Sequence, residues 1–153
     1  MPAIEASFRS WQPWWRVLVF TEKELVYLQS QRLARLATVS PTGQCDADAV
    51  GFEIDGGVFV IGGRALTTTR KFKNVAAGNE KVSLIFDDIA SLDPYEPRGI
   101  KMHGSASIVS RDGRFGPGEY IEFRPHVSWS WGIEAPTFAE GKVRFHKSKH
   151  GRR

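Results

Sequence analysis

Thr67, Thr68, Thr69, Arg70 and Lys71 stand side by side within GGRALTTTRKFKNVAAG, residues 62–78. Hydroxyls and two cations ahead of a helical pattern are the ingredients of a phosphate site. The first N–H groups of a helix and its dipole favour an anion. An arginine can hold two oxygens in one plane, and a lysine adds a point charge. Phe72, Val75 and Ala76 fall at i, i+3, i+4 and predict one helix face. Thr68 or Thr69 is the expected N-cap and Gly78 the expected C-terminal stop. The stretch is not a Walker loop, which requires Gly-Lys-Ser/Thr. An ordinary helix start with solvated charges uses the same residues, so the stretch alone leaves both readings open.

Other chemistry is sparse. His103, His126, His146 and His150 show no H-E-x-x-H or paired-cysteine spacing, and a metal site is not expected. The acid pairs Asp46/Asp48 and Asp87/Asp88 read as turn or edge solvation. No serine lies in G-x-S-x-G. Cys45 has no histidine beside it and reads as a small strand residue. A phosphate cradle without an acid, base or nucleophile is the inventory of a protein whose cofactor carries the chemistry.

The elements that must position the cradle follow from pattern. Thr21-Glu22-Lys23-Glu24 is a capping box, which predicts a helix running to about Gln31 with Leu25, Tyr27 and Leu28 inward. Strands are expected over 33–39, 47–54 and 58–61. Ser40-Pro41-Thr42-Gly43 and Asp55-Gly56 are expected as turns between them. Gly51 inside the second strand marks a bulge or a close backbone approach by a ligand. A buried strand is expected over 81–87, a loop over 88–97 with Asp93-Pro94 and Glu96-Pro97 as breakers, and an alternating strand over 99–109. Arg111-Asp112-Gly113 reads as a turn, and 119–123 and 125–133 as further extended segments. Trp129 and Trp131 then point the same way. About six short strands with tight turns and two short helices predict an antiparallel barrel.

At 153 residues the chain is long enough for one domain with its own core. No apolar run reaches a membrane span, and one cysteine excludes an internal disulfide and fits a reducing cytoplasm. The net charge of +4 is uneven: residues 142–153 carry six of the 21 cations and no acid, which leaves 15 cations against 17 acids elsewhere. A nucleic-acid binder needs a basic stripe on its folded body, so no nucleic-acid partner is expected. The division expected is a Trp-rich extension over 1–20, a barrel over 21–141 and a disordered basic tail over 142–153. Trp11, Trp14 and Trp15 in the extension would pack on the body or on a second subunit, or form a lid over a ligand.

The order LARLATV, turn, strand, hairpin, strand, TTTRKFKNVA resembles the pyridoxamine 5'-phosphate oxidase-like split β-barrels that bind FMN or the deazaflavin coenzyme F-420. The resemblance covers about residues 21–134. It implies that Thr69, Arg70 and Lys71, with Thr68 beside them, grip the cofactor phosphate. It further implies that Val50, Gly51 and Phe52 lie along the ring, and that Ile61 and Gly62 line it. FDDIASLDPYEPRGIKMHGSA and SWGIE resemble the deazaflavin-dependent branch, which implies an oxidoreductase passing hydride from reduced F-420 to an unsaturated or conjugated small organic substrate. FMN as the cofactor of an oxidase or flavin reductase is the alternative. A haem or cofactor carrier, with His103 and His126 as first ligands, is a third reading. A homodimer with cofactor sites at the interface is implied too, where Trp129 and Trp131 either reach the partner's site or fill the interface.

Overall fold

The computed structural model describes residues 20–151. Helix α1 (Glu22–Ser30) opens on the capping box: Thr21 accepts from the Glu24 N–H, and the Glu24 carboxylate accepts from the Thr21 N–H. Strands β1 (Ala34–Val39) and β2 (Cys45–Val50) follow, then β3 (Glu53–Asp55) and β4 (Val58–Ile61). A 3-10 turn (Leu66–Thr68) leads into α2 (Arg70–Ala76). The chain continues through β5 (Lys81–Leu92), β6 (Tyr95–Gly113), β7 (Gly116–Trp131), β8 (Phe138–Ala139), β9 (Lys142–Val143) and β10 (His146–Lys149).

Eight strands form one antiparallel sheet in the order β2-β1-β5-β6-β7-β4-β3, with β10 also on β7. β2 and β3 stand at opposite ends of that order, yet only Gly51 and Phe52 separate them in the chain. The chain therefore closes the sheet on itself at that corner, giving the split barrel. Its interior is a cluster of Leu36, Phe59, Ile61, Leu84, Phe86, Ile100, Met102, Ile121 and Phe123, all at most 1 % exposed. Phe86 sits among rings, 4.8 Å from Phe52 and 5.6 Å from Phe59.

Several expectations are corrected. Residues 88–97 are not a loop, because β5 and β6 keep pairing to Leu92↔Tyr95. The Arg98 guanidinium grips Asp88 with two bonds of 2.6 and 2.9 Å, which ties the two strands across this hairpin. Nor do Arg111–Gly113 form the next turn: the ladder runs on to Gly113↔Gly116. The two segments expected after it are one strand, β7. The second expected strand is broken at Gly51-Phe52, where the barrel turns its corner. In α2 it is Asn74, not Ala76, that is buried with Phe72 and Val75; its amide donates to Thr38 Oγ1 at 3.0 Å. Over its described residues, 142–151, the basic tail is no disordered end. β4 covers β7 only at 121–123, and β10 takes the same edge at 127–130. Ser148 and His150 are buried there; burial pushes the His150 imidazole below its ordinary range. The Trp-rich stretch 1–19 lies outside the described residues.

Asp88 ties α1 to this sheet. It accepts from Tyr27 Oη at 3.2 Å and Gln31 Nε2 at 3.3 Å besides Arg98. Arg98's hydrogen bonds hold its carboxyl below the usual carboxylate range. A lowered carboxylate pKa gives stability that is complete above the unfolded value of 3.8 and is lost as pH falls through the folded value. Asp88→Asn is therefore expected to cost about 1–2 kcal/mol at neutral pH, with the difference shrinking in urea titrations as pH falls below the unfolded value of 3.8.

Candidate functional site

The expected site residues, Trp131 apart, gather at the mouth where the barrel closes. Thr69 caps α2, accepting from Phe72 N–H at 3.4 Å, and its own hydroxyl donates to Leu66 O at 2.6 Å. Thr68 donates to Ala65 O at 2.8 Å. Both hydroxyl protons are thus spent inside the turn, and these threonines set the shape of the cradle. Donation to an anion falls to Arg70 and Lys71.

Arg70 is exposed, whereas the Lys71 side chain is only 13 % exposed and reaches back to Asp48 of β2 at 2.9 Å. That ion pair joins the start of α2 to β2 two residues before Val50. Asp48, read from sequence as a solvated edge acid, is instead paired with a cation of the cradle.

Val50 ends β2 and is buried, so it offers backbone only. Gly51 and Phe52 belong to neither strand ladder, which leaves their N–H groups outside the sheet pairing. A side chain on Gly51 would meet open space; nothing lies within 4 Å of a Cβ built there. β3 pairs Glu53 with Val60, and continuing that register puts Phe52 opposite Ile61. Ile61 is fully buried and presents its backbone as well. A Cβ on Gly62 would come within 2.6 Å of the Tyr120 ring, so only glycine lets this strand lie flat on the β6–β7 hairpin tip.

Trp131 is not brought to this mouth. It stands ten residues along β7 from Ile121, the partner of Ile61, on the order of 30 Å of strand. It packs against Gly99 and Phe145 on the outer face. Trp129 lies on that face too, flanked by Lys101 Nζ at 4.9 Å and Lys147 Nζ at 5.6 Å from its ring centre. The histidines proposed for haem also lie away from the mouth: His103 packs edge-on to Trp129, and His126 Nε2 is 3.2 Å from Ser105 Oγ.

Sequence reasoning passed over Arg64 and the hairpin tip Phe115–Tyr120. Tip and strand meet across more than fifty residues, and no local pattern carries such a contact. Together they wall a cleft of about 400 Å³ beside Gly62. Chemically, the mouth offers two cations, uncovered backbone N–H groups and flat glycine surfaces. It can hold a phosphate-bearing planar cofactor, and the carboxylate it contains, Asp48, is paired with Lys71.

The family model described as pyridoxamine 5'-phosphate oxidase matches residues 20–128. A protein of Streptomyces rimosus subsp. rimosus described as 5a,11a-dehydrotetracycline/5a,11a-dehydrooxytetracycline reductase is 39% identical over 121 residues, covering 75% of this chain and 84% of that protein. Among solved structures, a conserved hypothetical protein from Mycobacterium tuberculosis aligns with a TM-score of 0.59 at 20% identity, covering 76% of this chain and 87% of that one. A heme binding protein from Mycobacterium smegmatis aligns with a TM-score of 0.63 at 15% identity, covering 86% and 60%. At these identities the two structures speak for the fold alone.

Proposed function

The chain belongs to the pyridoxamine 5'-phosphate oxidase family, and on that premise we propose that it is an oxidoreductase using reduced coenzyme F-420 to reduce a conjugated, unsaturated organic substrate. The observation that carries this reading is the 39% identity to a reductase, over 84% of that relative's length. An alignment that long takes in much of the barrel. The relative's name states reduction of a dehydro compound. The segments of residues 86–106 and 130–134 that resemble the deazaflavin branch favour F-420 over FMN.

When bound, the reduced coenzyme supplies the hydride. The chain's own residues bind and orient. Arg70 and Lys71 hold the phosphate, with Thr68 and Thr69 shaping the turn. Val50, Gly51, Phe52, Ile61 and Gly62 present backbone to the ring, and the free N–H groups of Gly51 and Phe52 steady charge there. The active unit is a homodimer in the cytoplasm, with Trp129 and Trp131 at the subunit interface. Small outward side chains support that arrangement: Ala37 lies between Ala47 and Ser83 across three strands.

Side-by-side titration of the purified protein with F-420 and FMN is the test. Tight binding of F-420 with weak binding of FMN is expected, and the reverse would transfer the reading to a flavin enzyme. Asp48 sharpens it. Its carboxylate competes with phosphate for Lys71, so Asp48→Asn is expected to tighten F-420 binding by about 2- to 5-fold, the scale of a half-exposed ion pair. Weaker binding in that variant would show that Asp48 holds Lys71 in position more than it competes.

A further inference from the structure

We propose that the cleft between Gly63–Thr67 and the β6–β7 hairpin tip is a second subsite that takes a planar conjugated ligand bearing one acidic oxygen. The inference rests on the oxidoreductase reading, for which this ligand is the hydride acceptor. The cleft's volume of about 400 Å³ suits a small molecule.

Three features of its walls set the chemistry. Phe115 is 52% exposed and lines the cleft, offering an aromatic face for stacking. Arg64 is the cation of the lining, and among the described residues it takes part in no ion pair. A guanidinium fork suits a planar acid. Glu119 is the carboxylate of the lining, and its charge works against a ligand with more than one negative group. Thr67 adds a hydroxyl, and a Cβ at Gly116 or Gly118 would meet open space, so backbone is uncovered on that side.

The tip is pre-organised. Tyr120 is buried, and its hydroxyl donates to Gly116 O at 2.6 Å and accepts from Phe115 N–H at 3.0 Å. The same ring lies against Gly62. The cleft therefore shares an edge with the strand proposed to line the coenzyme. Hydride transfer needs that adjacency, because reacting atoms must approach to about 3–3.5 Å.

The test uses anthraquinone-2-carboxylate and its neutral carboxamide as probes, titrated by calorimetry into the full chain. The acid is expected to bind wild type about 10-fold tighter than the amide, the scale of one charge-assisted hydrogen bond. Arg64→Gln should erase that preference while leaving amide binding intact. Phe115→Ala should weaken both probes by about 5-fold. Both positions are exposed, so the fold is retained, and F-420 affinity should not change in either variant. Equal binding of acid and amide to wild type would overturn the proposal. So would a preference that survives Arg64→Gln, or displacement of the acid by F-420, which would give the cleft to the coenzyme. Should F-420 fail to bind wild type, the coenzyme reading falls, while the acid–amide comparison still decides the cleft.

Discussion

Arg70→Ala is expected to lower the affinity for F-420 by about 10- to 100-fold, the loss of one charge-assisted hydrogen bond or bidentate pair. The argument is one of division of labour within the cradle. The Thr68 and Thr69 hydroxyls donate to Ala65 O and Leu66 O, and Lys71 is half committed to Asp48. Arg70 is exposed and, among the described residues, enters no ion pair, so its donors are the ones a phosphate can claim in full. Its removal should leave the thermal midpoint where it was, because the residue is exposed. Arg70→Lys should restore only part of the affinity, since an ammonium keeps the charge and loses the planar fork. An Arg70→Ala protein that titrates like wild type would move the phosphate away from the start of α2.

Several of the elements around the candidate site were legible in the residues themselves. Local chemistry announced the capping box at Thr21, the apolar run Val58–Ile61 and the adjacent cations Arg70 and Lys71, and each occupies the element its pattern predicts. The failures share a different cause. At the β5–β6 tip the apolar residues Ile89, Leu92 and Tyr95 are exposed and follow no alternation, and the breakers Pro94 and Pro97 read as a loop; an ion pair ten residues apart, Asp88 with Arg98, ties the two strands there. The terminal segment is rich in lysine and reads as solvated. It folds because β4 leaves half of one β7 edge open and because Lys147 can place its ammonium over Trp129. Asp48 against Lys71 and Tyr120 against Gly62 are likewise tertiary contacts, settled by how the barrel closes and not by neighbouring sequence.

Gly104→Ala is expected to be the most damaging of these changes to the fold, costing about 3 kcal/mol or more and lowering the thermal midpoint by roughly 10 °C. The β6–β7 register shifts here: His103 faces Val127 while Gly104 faces Pro125, so His126 is the extra residue of a bulge. Before the bulge β7 turns Ile121, Phe123 and Pro125 inward; after it, Ser128 and Ser130. That inversion lets the first half of β7 pack the barrel core. It lets the second half receive Glu24 of α1, whose carboxylate accepts from Ser130 Oγ at 2.5 Å. It also divides the edge of β7 between β4, which leads to Ile61 and Gly62, and β10. A Cβ on Gly104 would overlap the Arg124 carbonyl oxygen and come within 2.8 Å of the Phe123 ring. The first of these is backbone held by the ladder and cannot swing aside as a side chain could. Gly118→Ala is the control: it lies in β7, the strand paired with β6, with nothing within 4 Å of its Cβ, and should change stability by no more than about 0.5 kcal/mol. Urea unfolding of the pair decides it. Equal, small effects would mean that the bulge relaxes freely and does not fix which face of β7 meets the core.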